Sequence, residues 1–264
     1  MIITSSKNET VKLLRSLKDR TSRRESGLHL IEGERLVFDA LNTGIVPHTA
    51  LVEDGAAHIE KRLEAMSVPF IRVSRAVLEA VSDTKTPQGI AAAVRTPSTA
   101  PPPFYPENAL IVALDRLQDP GNLGTIMRTA DAMGAKALLL GEGCTDPFSP
   151  KALRAAMGST YHIPIFECSL ASELIKLKSE GNALICGHLH GSETLPDING
   201  GCVLVIGNEG SGVSDKIAEI CALYRLKMFG RAESLNAAAA ASIMMYELSG
   251  RIHSRVNAEI GAAT

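Results

Sequence analysis

Between residues 9 and 20, Val11, Leu13, Leu14 and Leu17 form an apolar stripe among Glu, Lys and Arg, which predicts an amphipathic helix. Residues 28–33 read as a strand running into a turn, and 34–41 as a helix. Short strands at 50–52 and 70–73 flank a helix over 56–65. Ser74 is placed to cap a helix over 75–81, and the small apolar run 89–94 closes the segment as a buried strand. This alternation predicts a small α/β domain. Thr96-Pro97-Ser98-Thr99-Ala100-Pro101-Pro102-Pro103 lacks half of its backbone donors and favours extended conformations, so it reads as a stiff linker. Beyond it, apolar strands are expected at 110–114, 137–140, 162–166, 183–186, 203–206 and 222–226. Helices are expected at 123–133, 150–157, 171–179, 215–220 and 235–248. Strands of that kind separated by helices imply a mostly parallel sheet covered on both faces, with ligands bound beyond the C-terminal strand ends. The expected organisation is thus a domain over 1–96, a Pro-rich linker over 97–106 and a second domain over 107–264.

Composition narrows the partners. The chain has no Trp and only 4% aromatic residues, so base stacking is not expected to dominate any nucleic-acid contact. The near-neutral total hides a local cluster: residues 7–24 hold seven basic residues (Lys7, Lys12, Arg15, Lys18, Arg20, Arg23, Arg24) against Glu9 and Asp19. Such a cluster suits a polyanion, or else is a solvated helix face. No apolar run approaches the ~18–20 residues that span a bilayer, and the first residues do not read as a signal peptide. The five cysteines include no Cys-x-x-Cys pair, so reduced, mostly buried thiols in a cytoplasmic protein are expected, without a metal site.

Three segments of the second half couple a glycine turn to polar side chains at a strand end. In Asp119-Pro120-Gly121-Asn122-Leu123-Gly124-Thr125-Ile126-Met127-Arg128, Gly121 or Asn122 is expected to begin a helix with Arg128 nearly two turns on. An N-cap followed by an ordinary helical Arg would look the same. In Gly207-Asn208-Glu209-Gly210-Ser211-Gly212 the glycines permit positive φ and close approach of a ligand to backbone. A phosphate loop is the rival, but the Gly-Lys-Ser/Thr ending is missing, and Glu209 puts a carboxylate where a phosphate site gains by avoiding one. That carboxylate suits a cationic ligand or the orientation of a cationic side chain. In Met228-Phe229-Gly230 leading to Ser234-Leu235-Asn236-Ala237, Ser234 is expected to cap a helix from Leu235, with Asn236 in its first turn.

In order and spacing these segments resemble the three motifs of the SpoU/TrmH family of RNA ribose 2′-O-methyltransferases, within the SPOUT superfamily. Arg23-Arg24 with Leu30-Ile31-Glu32-Gly33, and Thr86-Pro87-Gln88-Gly89, resemble the substrate-binding domain that precedes many such catalytic domains. The third motif departs from the family in having Lys227 before Met228 where Pro is usual. The resemblance implies a C-terminal domain with a trefoil knot and a small N-terminal α/β domain similar to ribosomal RNA-binding proteins. It further implies a cytoplasmic homodimer, formed through the C-terminal domain, that uses S-adenosyl-L-methionine to methylate a ribose 2′-hydroxyl. Ribosomal RNA is the expected substrate, with transfer RNA, or a catalytically silent RNA-binding scaffold of the same fold, as the alternatives. Carried over by position, Gly207, Leu226, Met228 and Leu235 meet the cofactor, with the turn at Gly187-His188-Leu189 a weaker candidate. Arg128 acts on the hydroxyl, and Asn122, Glu209, Ser234 and Asn236 orient it and the ribose. The polyanion contact becomes RNA binding by Lys7, Lys12, Arg15, Arg20, Arg23 and Arg24.

Overall fold

The computed structural model describes residues 2–262, with side chains through Arg255. The chain divides into two compact units: Met1–Pro97 together with Asp146–Tyr161, and Ser98–Thr145 together with His162–Thr264.

The first unit contains β1 (Ile2–Ile3), α1 (Glu9–Ser16), α2 (Arg20–Ser26), β2 (Leu28–Glu32), α3 (Glu34–Asn42), β3 (Pro47–Glu53), α4 (Ala57–Ala65), β4 (Ile71–Val73), α5 (Arg75–Val81) and β5 (Ile90–Arg95). Its five-stranded sheet has the order β1-β4-β3-β5-β2, parallel at β1–β4 and β4–β3 and antiparallel where β5 pairs with β3 and β2. Both faces are covered. Ile31, Ala92 and Val94 join Val37, Phe38, Ile59 and Leu63 in one apolar cluster, while Leu28, Leu30, Ala91 and Ala93 join Val11, Leu14, Val77 and Leu78 in another. The single helix expected over 9–20 is two: it stops at Leu17, and Asp19 restarts the chain by accepting from Ser22 N–H.

Residues 146–161 also depart from their sequence neighbours. Helix α7 (Pro150–Ala156) and a 3-10 turn (Ser159–Tyr161) lie in the first unit because Phe148 and Leu153 are buried in its apolar cluster. Two polar ties hold them. Asp146 pairs with Arg23 at 2.6 Å, and Tyr161 OH lies 2.8 Å from His29 Nε2, whose Nδ1 is 3.1 Å from Thr96 Oγ1. Burial drives the His29 pKa from 6.5 down to about 3, so across that interval the unfolded chain takes up a proton that the folded chain excludes. Stability should therefore fall as pH drops from about 6.5 toward 3, by about 1.4 kcal/mol per pH unit from this residue. Urea midpoints measured between about pH 7.5 and pH 4.5 should show a shallower acid loss in His29→Gln than in the parent chain. Equal slopes would contradict the assignment.

The second unit contains β6 (Leu110–Leu114), α6 (Pro120–Ala132), β7 (Ala137–Leu140), β8 (Ile165–Glu167), α8 (Leu170–Ser179), β9 (Ala183–Ser192), β10 (Cys202–Ile206), α9 (Asp215–Ala218), β11 (Ala222–Tyr224) and α10 (Ala237–Ala262). Its six-stranded sheet is parallel throughout, in the order β11-β9-β10-β6-β7-β8. Leu170, Leu174, Leu177 and Ile217, from α8 and α9, pack on the sheet, and α10 packs against α6 and against β6, β9 and β10. From β6 the chain winds outward through β7 to β8, then returns to build β9, β10 and β11 on the other side. The reversal leaves a switch point beyond the C-terminal ends of β6 and β10, where ligands bind in open parallel sheets. Strand β9 runs longer than expected. Its pairing with β11 jumps from Cys186↔Leu223 to Ser192↔Tyr224, so residues 187–191 bulge, and a Cβ on Gly191 would come within 2.6 Å of the Tyr224 backbone.

Candidate functional site

The three motifs meet at this switch point through one chain of hydrogen bonds. Asn236 Nδ2 donates to Asn122 Oδ1 at 3.0 Å, and Asn122 Nδ2 donates to Glu209 Oε1 at 3.0 Å. Glu209 also accepts from the backbone N–H groups of Asp119 (2.9 Å) and Gln118 (3.1 Å). Burial alone would raise the Glu209 pKa. The donors from Asn122, Asp119 and Gln118 outweigh it and hold the carboxyl below its ordinary value. An ionised carboxylate thus braces the entry of α6.

Each side chain is set by local structure. Helix α6 begins at Pro120, and its cap is Asp119, whose Oδ1 accepts from Asn122 N–H at 2.8 Å. Gly121 and Asn122 therefore lie inside the first turn rather than at its mouth, because Asp followed by Pro is a stronger helix start. The Asn122 carboxamide is freed from capping and bridges the other two motifs. A second correction concerns α10. It starts at Ala237 with Asn236 as its cap, Oδ1 accepting from Ala238 N–H (2.9 Å) and Ala239 N–H (3.3 Å). Ser234 is an exposed residue of the preceding loop, with no capping role.

The glycine-rich turn is locked by Asn208, a residue to which its type and spacing assign no role in the sequence. Its backbone pairs with Gly212, its Oδ1 accepts from Gly210 and Ser211 N–H, and its Nδ2 donates to Arg116 O. Gly207 is required because a Cβ there would fall 2.2 Å from the Gly212–Val213 backbone. Of the three glycines only Gly212 has positive φ, at 69°. Close backbone crossing, more than torsional freedom, explains this motif.

Arg128 is exposed on α6, with no hydrogen bond or ion pair to its guanidinium among the described residues. Glu209 orients amides and Asn122, not Arg128. Leu226 is buried just past the end of β11, Met228 is half-buried, and Leu235 is 38% exposed beside Asn236. Residues 226–235 form no backbone–backbone hydrogen bonds among the described residues, so this loop keeps its peptide donors and acceptors available next to apolar side chains. That combination fits a ligand with a flat apolar body and a hydrogen-bonding edge. His188 and His190 lie in the β9 bulge, and the thiols of Cys186 and Cys202 are each pushed up to about 12 by burial.

Asn236→Ala removes both the cap and the bridge, which should cost about 0.5–2 kcal/mol of stability from the cap alone. Asn236→Asp keeps a capping oxygen but loses the donor to Asn122. Thermal denaturation should separate the two variants while both lose activity. Full activity in Asn236→Asp would show the bridge to be dispensable.

In the first unit the basic residues divide. Lys7, Lys12, Arg15, Arg20 and Arg24 are exposed, whereas Arg23 is 6% exposed and donates to Asp146 and to the carbonyls of Leu17 and Lys18. Arg23 is a structural residue, not an RNA contact: its side chain is spent on the α1–α2 junction and on Asp146.

Comparison with known proteins adds to this geometry. The SpoU rRNA Methylase family matches residues 109–246, and the MRM3-like substrate binding domain matches residues 8–92. The 23S rRNA (guanosine(2553)-2′-O)-methyltransferase RlmP of Bacillus subtilis is 38% identical, over 94% of this chain and 99% of that protein. The AdoMet-bound rRNA methyltransferase of Sinorhizobium meliloti superposes with a TM-score of 0.85 at 33% identity, covering 95% of this chain and 98% of the other. The SpoU methyltransferase AviRb of Streptomyces viridochromogenes, in complex with AdoMet, superposes at 0.82 with 26% identity, over 95% and 99% of the two chains.

Proposed function

The chain belongs to the SpoU rRNA methylase family, and from that premise we propose that it transfers a methyl group from S-adenosyl-L-methionine to a ribose 2′-hydroxyl of ribosomal RNA. The observation that carries this reading to particular residues is the Asn236–Asn122–Glu209 chain, which ties the three motifs together at the sheet's switch point. The backbone of residues 226–235, which makes no backbone–backbone hydrogen bond among the described residues, and the apolar Leu226, Met228 and Leu235 suit the adenosine part of the cofactor, with Gly207 at the neighbouring strand end. When bound, the cofactor supplies an electrophilic methyl group on a sulfonium. Glu209 and Asn122 hold the start of α6, and Asn236 fixes the start of α10 against it. Arg128, two turns along α6, stabilises the alkoxide that develops on the ribose and orients an RNA phosphate. A guanidinium holds its proton too tightly to serve as the base, so the proton passes to the phosphate. Ser234 contributes from the loop as a ligand to the ribose.

The exposed Lys7, Lys12, Arg15, Arg20 and Arg24 hold RNA phosphates, in a domain over 1–96, joined by residues 146–161, that acts as the substrate-binding module; 97–106 serves as linker and the rest of 107–264 carries the chemistry. Two copies associate through the C-terminal domain, a reading supported by Ile243 and Tyr246, which stand 44% and 71% exposed on α10. A trefoil knot formed by the segments around β9–β11, and a cytoplasmic location, complete the proposal. Among the described residues no helix is long and apolar enough to cross a membrane.

Transfer of labelled methyl from S-adenosyl-L-methionine to rRNA, purified from cells lacking the protein, tests the activity. Incorporation into rRNA that resists alkaline cleavage at one ribose, and weakens steeply with salt, is expected. Incorporation into tRNA alone would favour the second substrate; none into either would refute the reading.

A further inference from the structure

The first unit holds a cavity of about 320 Å³ that no catalytic motif touches. Its apolar floor is Leu36, Leu153 and Met157, and its rim carries Gly33, Thr86 and Gln88 with the guanidinium groups of Arg35 and Arg154. The polar groups here are underused. Arg154 spends Nη1 on Glu32 (3.2 Å) and Asp83 (2.7 Å), which fixes the guanidinium and leaves Nε and Nη2 without partners among the described residues. Thr86 and the Gln88 carboxamide likewise make no side-chain hydrogen bond there. Arg35 is 68% exposed, with Asp39 no nearer than 3.9 Å. Helix α3 opens at Gly33 with no side-chain cap, and Gly33, Arg35 and Leu36 at its start line this space. Gly33 has a φ of 87°, which disfavours any side chain there, and a Cβ would displace the Gln88 carboxamide, whose Oε1 lies 2.9 Å from that position.

An apolar floor, a free carboxamide at the rim, an uncapped helix start and two cations are the features that recognise a nucleotide. The base enters the floor, its edge pairs with Gln88 and Thr86, and its phosphate lies at α3 and Arg35. The carboxylates Glu32 and Asp83, which would repel a phosphate, are engaged by Arg154. We propose that this slot takes one unpaired nucleotide of the RNA substrate and so selects which RNA is held. The proposal rests on the RNA reading above and adds a recognition site distant in sequence from the catalytic motifs.

The test uses the full chain and rRNA from cells lacking the protein, with Thr86→Trp to fill the slot and the double variant Arg35→Ala/Gln88→Ala to strip its rim. Both should raise the RNA Kd and KM by about tenfold, the loss expected from a few contacts. Their kcat, cofactor Kd and melting temperature should stay unchanged. Thionucleoside-substituted rRNA should crosslink to peptides containing residues 33–36, 84–88 or 153–157. Unchanged RNA Kd in both folded variants, or crosslinks confined to α1 and α2, would overturn the proposal while leaving methyl transfer intact. If free 5′-mononucleotides bind and are lost in Thr86→Trp while the RNA Kd is unmoved, the slot serves a free nucleotide and the RNA assignment falls. A parent chain that neither binds nor methylates rRNA would sink both readings at once.

Discussion

Arg128→Ala is expected to slow methyl transfer by about 10²–10³-fold, the loss found when one preorganised donor to a developing oxyanion is removed. The cofactor Kd and the melting temperature should be nearly unchanged. Both expectations follow from where the residue sits. Arg128 is exposed on α6 and makes no internal bond among the described residues, so the fold gives nothing up when it is truncated. The helix that carries it is held rigidly at its start by Asp119, Asn122 and Glu209. A free guanidinium on a braced helix is positioned to act on something outside the chain. Arg128→Lys keeps the charge but not the planar fork, so it should restore only a minor part of the rate. Near-parental turnover in Arg128→Lys would refute the need for a fork. Loss of cofactor binding in Arg128→Ala would place the residue on the donor side instead.

The second large effect concerns stability. Arg23→Ala should destabilise the first unit by about 3–5 kcal/mol, because the 15% exposed Asp146 loses its ion partner and the Leu17 and Lys18 carbonyls lose their donor. A loss of that size corresponds to roughly 10–20 °C in melting temperature. Its neighbour gives the contrast: Arg24 is exposed, and Arg24→Ala should change stability by no more than about 0.5 kcal/mol while weakening RNA binding. The double variant Arg23→Met/Asp146→Leu should recover much of the loss, since an apolar pair can replace a buried ion pair. Similar melting temperatures for Arg23→Ala and Arg24→Ala would show that the Arg23–Asp146 pair contributes little.

That pair also marks where the sequence stopped being legible. Hydrophobic periodicity located nearly every strand and helix because each buries one stripe or a whole apolar run, as the strands β6, β7 and β10 do. It could not separate Arg23 from Arg24, since the partner Asp146 lies more than a hundred positions away. Nor could it show that residues 146–161 leave the unit around them, which is decided by Phe148 and Leu153 packing on another core. Strand β9 runs past its apolar stretch because its bulge at 187–191 follows the pairing with β11, for which Gly191 leaves room, and a partner strand is not legible in the segment itself.

At the candidate site the motifs were readable and their internal division of labour was not. Asp119-Pro120 carries the signal for the true start of α6, but Asn122 is an equally good cap by residue type, so sequence alone does not choose between them. Ser234 and Asn236 are both good caps by type, and only the backbone path chooses between them. Asn208, Gln118 and Asp119 act through backbone groups or local turns, which side-chain chemistry in a sequence does not announce.

In the proposed function, the Arg128 helix and the Asn236–Asn122–Glu209 junction form one methyl-transfer site that acts on rRNA ribose. Mapping of 2′-O-methyl groups across the rRNA of cells lacking the protein, with and without the parent chain or Arg128→Ala restored, tests that most directly. One ribose methylation should vanish with the protein, return with the parent chain and stay absent with Arg128→Ala. An rRNA methylation pattern that is identical in all of these cells would contradict it.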